Sequence, residues 1–410
     1  MTVFSRNVPL LALCQALMMS CNTLVVTTSA LVGYALAQDK AYATLPFALQ
    51  LIATMCTSIP AALLMKKTGR KHGFMLATLL GMTGGSLCTL GILQHHFLVF
   101  ATGSVLVGMF NGFGNYYRFT AADIVDSQHK SRAISLVLAG GVIAAIVGPN
   151  LANLTRDVIS QASFAGSYAA IIGLYILSFV VLSFLKLPAT SVHKQSNKDT
   201  GRPLRQIVTQ PKYIVAVICG MLGYGVMSLV MTATPLAMQV HAYPFADTSF
   251  VIQWHVLGMY VPSFFTGHLI HRFGNLRIML LGALAGLACV AINLTGTSVT
   301  HFWIALSCLG VSWNFLFIGA TSLLTETYHR EETFKAQAVN EFTVFSTVAA
   351  ASLSAGALQH LFGWAAVNMG AIAPLLIIMA SLLWLYNRPQ ALESVLSQQD
   401  LEKVLTQSEQ

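Results

Sequence analysis

Apolar stretches of about 20 residues or more recur from Val8 to Tyr386, and this feature constrains the fold more than any other. In hydrocarbon, backbone N–H and C=O groups must be satisfied internally, so only helices or closed barrels can cross a membrane. No alternating ten-residue pattern of barrel strands is present. The chain has 410 residues, of which 55% are hydrophobic and 9% charged. A soluble domain carries about 25% charged residues. The sequence therefore predicts an all-α membrane protein. The first run, from Val8, is too long for a signal peptide and no small-residue cleavage site follows it, so it reads as a retained span.

Twelve spans are predicted, at about 8–36, 43–65, 72–93, 97–124, 133–157, 164–186, 212–238, 247–270, 276–297, 301–326, 334–359 and 364–386. They divide into an N-terminal six-helix bundle (1–186), a linker (187–211), a C-terminal six-helix bundle (212–386) and a polar tail (387–410). Basic residues gather in alternate loops: Lys66, Lys67, Arg70 and Lys71, then Lys194, Lys198, Arg202 and Arg205, then Arg272 and Arg277. The opposite side holds Lys40 and Arg156. The positive-inside rule then places both termini, the linker and the tail in the cytoplasm. Topology also explains the net charge of +8, which is spread over loops and does not form a nucleic-acid-binding surface. All seven cysteines fall within spans, without the spacing of a disulfide framework or a CxxC motif.

The two halves repeat at an offset of about 205 residues. Cys14 falls on Cys219, Thr27 on Thr232 and Gly69 on Gly274. Asp123 falls near Glu326, and Arg132 near Lys335. A parallel six-plus-six repeat, the bundles related by a pseudo-two-fold axis, is the trace of a transporter whose halves rock about a central cavity.

Spans seven and eight carry the residues with the most distinctive chemistry. Met227 and Met231, and likewise His255 and Met259, are spaced i, i+4, so each pair shares a helix face. Thioether and imidazole suit a soft copper ion, whereas hard cations prefer oxygen. At 1.5 Å per residue, Met227 lies roughly 21 Å from one membrane face and His255 roughly 20 Å from the same face, so the two sit at one level. The repeat places Asn22, Val26, Gln50 and Thr54 at the matching positions of the first half, so soft ligands are confined to one bundle. Cys219, about 80° round the helix from Met227, is an accessory candidate on the way out. Cys14, Met18 and Cys21 share a face of span one and are accessory candidates from the other half. Met238, His241, His301 and the His95-His96 pair lie at the periplasmic end. Each has a plainer reading as packing or as a solvated loop residue.

Arg118 lies within span four, where a cation needs a counter-ion or an aqueous cavity. Three roles remain open: proton coupling, binding of an anionic copper chelate, or a structural pair with Asp123. Asp123 and Glu326 are placed to pin the basic-side ends of spans four and ten, as possible gating residues.

Across its whole length the chain resembles the major facilitator superfamily. The family's loop motif after span two, Gly-x-Leu-Ala-Asp-Arg-x-Gly-Arg-Lys, aligns with Ala62 to Lys71 and matches at Gly69, Arg70 and Lys71. Ala62 replaces the first glycine and Lys66 the acidic residue. The second copy, Gly267 to Gly274, keeps both glycines, with His271 at the acidic position. Ser104 stands where span four of the family usually has an arginine. Within the superfamily the Met-x-x-x-Met and His-x-x-x-Met pairs resemble those of the CcoA-like copper importers. That resemblance implies a monomeric secondary transporter of the bacterial inner membrane. It would import copper, free or chelated, for assembly of a cbb3-type cytochrome c oxidase. Copper is then the substrate, and no cofactor is expected.

The competing expectation is a superfamily carrier of a small organic solute such as riboflavin or a drug. Trp254, Tyr260, Tyr116, Tyr117 and Trp313 would then offer rings to a flat ligand. A membrane enzyme is disfavoured, because no H-E-x-x-H, G-x-S-x-G or intramembrane carboxylate pair appears.

Overall fold

The structure is a computed structural model that describes residues 6–125, 133, 136–137, 139–187, 201–329 and 332–388. Residues 188–200 of the predicted linker, the tail from 389, and Arg132 lie outside the described residues. Among those described, regular structure is helical throughout.

The first half comprises α1 (Asn7–Leu36), α2 (Leu45–Thr68), α3 (Arg70–Leu93), α4 (Phe97–Gly114) continued by the short α5 (Tyr117–Asp123), α6 (Gly140–Thr155) and α7 (Ala165–Ser183). After the short α8 (Leu204–Val208), the second half comprises α9 (Pro211–Val240), α10 (Phe245–Tyr260), α11 (Ser263–Phe273), α12 (Asn275–Thr295), α13 (Val299–Thr325) and α14 (Thr333–Tyr386). Predicted span eight is broken: Pro262 lacks the N–H that would continue the helix, so α10 and α11 meet at a turn. Predicted spans eleven and twelve run together as α14, divided at Gly363, whose φ of 77° is non-helical. Predicted span five begins later than expected, and its described helix starts at Gly140.

The repeat is visible in the backbone. Gly69 has φ 87° and ψ 149°, and Gly274 has φ 87° and ψ 148°. Each glycine ends one helix and starts the next in a conformation that a Cβ would oppose. Two buried apolar sets divide along the same line, one centred on the first half and one on the second.

The halves touch along two seams. Thr44 donates to the Leu353 carbonyl (3.1 Å) and accepts from the Gly356 N–H (3.3 Å), which ties the start of α2 to α14. Met55 and Ser346 meet farther along this antiparallel pair. Across the other seam Ser249 donates to the Pro149 carbonyl (2.6 Å) and Asn150 to Gln253 (2.7 Å). Phe164 meets Phe245 edge-on, with the Arg156 guanidinium over both rings. All these contacts lie in the half of the membrane away from the basic loops. One turn beyond Met55 and Ser346, Ile59 is 63% and Phe342 64% exposed. Beyond Tyr260 on the other seam, Phe264 is 63% exposed. The bundles are closed at the far end and splayed at the basic end.

Candidate substrate site

The closed seams end at a cluster of rings. Tyr224 of α9 lies edge-on to Trp313 (5.4 Å between centroids) and Phe317 (5.5 Å) of α13, and tilted to Phe345 of α14 (6.1 Å). Trp313 and Phe317 stack at 4.9 Å with 10° between planes. Tyr260 stands 6.1 Å from Trp313 and presses on Gly141 of the first half, where any Cβ would collide with its ring. Tyr224, Tyr260, Phe317 and Phe345 are only half-buried, and the indole N–H of Trp313 has no partner. A flat apolar floor with an unused donor thus lies where the two bundles part.

Two charges complete this layer. Arg118 of α5 lies within electrostatic reach of Tyr260 and of Glu341 on α14, and Glu341 is in turn within reach of Tyr224. A guanidinium in one bundle thereby has its counter-charge in the other. The sequence reading missed Glu341, although a carboxylate inside a predicted span signals function by default.

In the first half the counterparts of Met227 and His255 form an amide cluster. The Asn22 side-chain oxygen accepts from Gln50 (3.2 Å) and from Asn111 (2.7 Å). The oxygens of Gln50 and Asn111 are buried without partners. A buried carboxamide oxygen without a bond is costly, so these atoms have hydrogen-bonding capacity to spare. The repeat already paired Asn22 and Gln50 with the proposed ligands, and this was the signal that would have found them.

The predicted copper ligands are all buried: His255 is 0%, Met227 2%, Met231 6% and Met259 6% exposed. His255 Nδ1 bonds the Leu306 carbonyl at 2.9 Å, so its ring faces α13 inside the second bundle, and its Nε2 has no partner. Gly310 of α13 lies flush against the His255 backbone and holds α10 and α13 close. Among the described residues no three His, Cys, Asp or Glu side chains come together. A copper site here would therefore depend on thioethers and one imidazole nitrogen. Cys219 lies beside Ser381 in the second half. Cys14, Met18 and Cys21 belong to the first-half core, with Met18 packed on Gly114.

The Pro262 break is held by Asn314, which is fully buried. It donates to the Met259 carbonyl (2.6 Å) and Ser263 hydroxyl (2.6 Å), and accepts from Thr266 (2.6 Å). At the basic end Arg70 pairs with Asp123 (2.5 Å) and Lys212 with Glu326 (3.2 Å). Arg118 is not paired with Asp123; its described charge partner is Glu341. Of the predicted rings, Tyr260 and Trp313 join the cluster. Tyr117 is buried in the first core, Tyr116 donates to the Ser58 carbonyl, and Trp254 packs on Phe250 and Trp303 at the surface.

The family model of the Major Facilitator Superfamily matches residues 11–352 and 217–408. The chain belongs to the major facilitator superfamily. It is 42% identical over 367 residues to the riboflavin transporter RfnT of Brucella anthropi, covering 90% of this chain and 92% of that one. It is 26% identical over 371 residues to an uncharacterized transporter of the same type, YdeG of Bacillus subtilis, with 86% of each covered. Its fold is that of the xylose transporter XylE from E. coli in a partially occluded, inward-open conformation. The TM-score is 0.68 at 12% identity, over 91% of this chain and 97% of that one. This superfamily member is thus a multi-pass membrane transporter with an all-helical fold of two related bundles.

Proposed function

We propose that this transporter carries a neutral, planar heteroaromatic solute of the riboflavin class into a bacterial cell. The observation that carries the reading is the ring floor at the point where the bundles separate, where half-buried Tyr224, Phe317 and Tyr260 surround the buried Trp313. A fused ring stacks there with the indole N–H of Trp313 beside it. The Asn22, Gln50 and Asn111 amides offer hydrogen bonds from the other bundle to the polar edge of such a ring. The relative named as a riboflavin transporter supports the same class. In this reading the basic end faces the cytoplasm, so the splayed bundles represent the inward-open state.

A second reading, copper import, rests on one observation: the buried, unpartnered Nε2 of His255 among the methionines of the second core. The imidazole would lend that nitrogen to a soft ion, with Met227, Met231 and Met259 as thioether ligands.

One experiment separates the two. Uptake of radiolabelled riboflavin and of radioactive copper is measured in bacteria lacking their own carriers for both. The flavin reading expects riboflavin accumulation that survives the double change Met227→Ala, His255→Ala and is lost in Trp313→Ala. Absence of flavin accumulation, with copper accumulation abolished by the double change, would overturn it.

A further inference from the structure

A cavity lies at the closed end, away from the ring floor. Its volume is about 790 Å³, within the range of small-molecule sites. It is walled by α9, α12 and both parts of α14, with Tyr34 of α1 supplying a side from the other bundle. Three of its lining residues are polar, more than nine-tenths buried and incompletely bonded. Asn293 is 3%, Trp364 6% and Gln359 7% exposed, and the Asn293 oxygen, Trp364 indole nitrogen and Gln359 oxygen have no partner. Asn293 spends its own N–H on Asn368, which fixes its oxygen's orientation. A single unmet group of this kind costs about 1–3 kcal/mol, and three of them belong to residues lining this one cavity.

The wall also says what kind of partner fits. Among the described residues no Asp, Glu, Lys or Arg lines the cavity, so an ion, a phosphate or an anionic headgroup would enter without a counter-charge. The unmet groups ask for two donors and one acceptor. Aromatic Tyr34 and Trp364 and the imidazoles of His241 and His360 provide flat, weakly polar walls.

We propose that this cavity is a second binding site, for an uncharged ring solute bearing both donors and acceptors, at the end where the transported molecule arrives. Naming that solute as flavin rests on the transport reading above. Because Tyr34 comes from the opposite bundle, the cavity is complete only while this end is closed. Occupancy then holds the protein in the state seen here.

The test is the number of riboflavin molecules bound per chain by the purified full-length protein, from quenching of flavin fluorescence. The forms compared are wild type, Gln359→Met, Trp364→Phe and Trp313→Ala. The expected counts are two for wild type and one for each variant. Unchanged counts in Gln359→Met and Trp364→Phe would overturn the proposal and leave the transport reading standing. Loss of one equivalent in those two, with none lost in Trp313→Ala, would uphold the second site and overturn the central one. No flavin bound by any form would overturn both. Should either cavity variant fail to fold, His360→Cys in a Cys56→Ser background decides. His360 is exposed on the cavity wall, and riboflavin should slow its labelling by a membrane-impermeant maleimide at least several-fold. Unprotected labelling would overturn the second site.

Discussion

At the residue scale the strongest expectation concerns Trp313. Its indole is the largest ring of the floor, and stacking a flat ring on an aromatic side chain is worth about 1–3 kcal/mol. On the proposed flavin reading, Trp313→Ala should therefore raise the riboflavin KM by roughly 5- to 150-fold, while Trp313→Phe, which keeps a ring, loses less. Initial uptake rates over a concentration series would show it. A different residue-scale expectation belongs to Glu332, which lies outside the spans at the start of α14. Its carboxylate, 1% exposed, accepts from the Arg202 backbone (2.7 Å), Nε (2.9 Å) and Nη2 (2.7 Å), and from the His329 N–H (3.0 Å). The Arg202 guanidinium, then the His329 N–H, hold the Glu332 carboxyl far below the usual carboxylate range. A depressed folded pKa means that this anchor contributes fully above the unfolded value of about 4.3, and fades only as pH falls toward the folded one. Proteolytic nicking of the linker should hence stay low from pH 8 down to about pH 5 in wild type. It should be high across that whole range in Glu332→Gln. These two residues differ in how readable they were. Trp313 stood out as a ring within a span, whereas Glu332 and Arg202 are ordinary surface charges in sequence, and only their meeting across a 130-residue separation gives them a role.

At the element scale Pro262 marks where α10 and α11 part, yet Pro60, Pro149, Pro235 and Pro374 sit inside helices that run on past them, so a missing N–H alone does not announce a break. Nothing in the α13 sequence announces that Asn314 reaches the Met259 carbonyl, since the bond depends on how two helices cross. Asn314→Leu should leave that buried carbonyl unmet, at a cost of about 1–3 kcal/mol. The melting midpoint in detergent would fall by several degrees. Thr266→Val should cost less, because Asn314 keeps its other partners. If Asn314→Leu melts as wild type does, the break is held by packing and not by this amide. The same limit applies to the methionine and histidine spacing. An i, i+4 pair fixes a shared face but not which neighbour that face meets, and His255 meets the α13 backbone inside its own bundle. The pairing of Asn22 with Gln50 could be inferred from the repeat, yet Asn111 joins them from α4 for reasons that only helix packing supplies.

At the scale of the whole molecule, twelve spans and a two-fold repeat follow from hydrophobic length and the Gly69 and Gly274 landmarks, while the conformational state does not, since one sequence must adopt both. What moves between states is read from the seams. The far-end contacts, from Thr44 to Ser346 and from Phe164 to Tyr260, must open when the basic end closes, and that closure brings α5 toward α14. Arg118 and Glu341 sit on those two elements, near enough to interact but without a direct ion pair in the splayed state. Closing the basic end would shorten their separation and remove water, which strengthens the attraction. Neutralising one partner leaves the other charge uncompensated in that closed state, whereas neutralising both removes the penalty along with the attraction. Arg118→Gln and Glu341→Gln should therefore each slow uptake and trap the splayed form. A cysteine at the exposed Phe342 position would then label faster from the basic side. The double variant should recover part of the rate. Additive losses in the double variant would mean that the two charges act separately, and that the bundles are not latched by this pair.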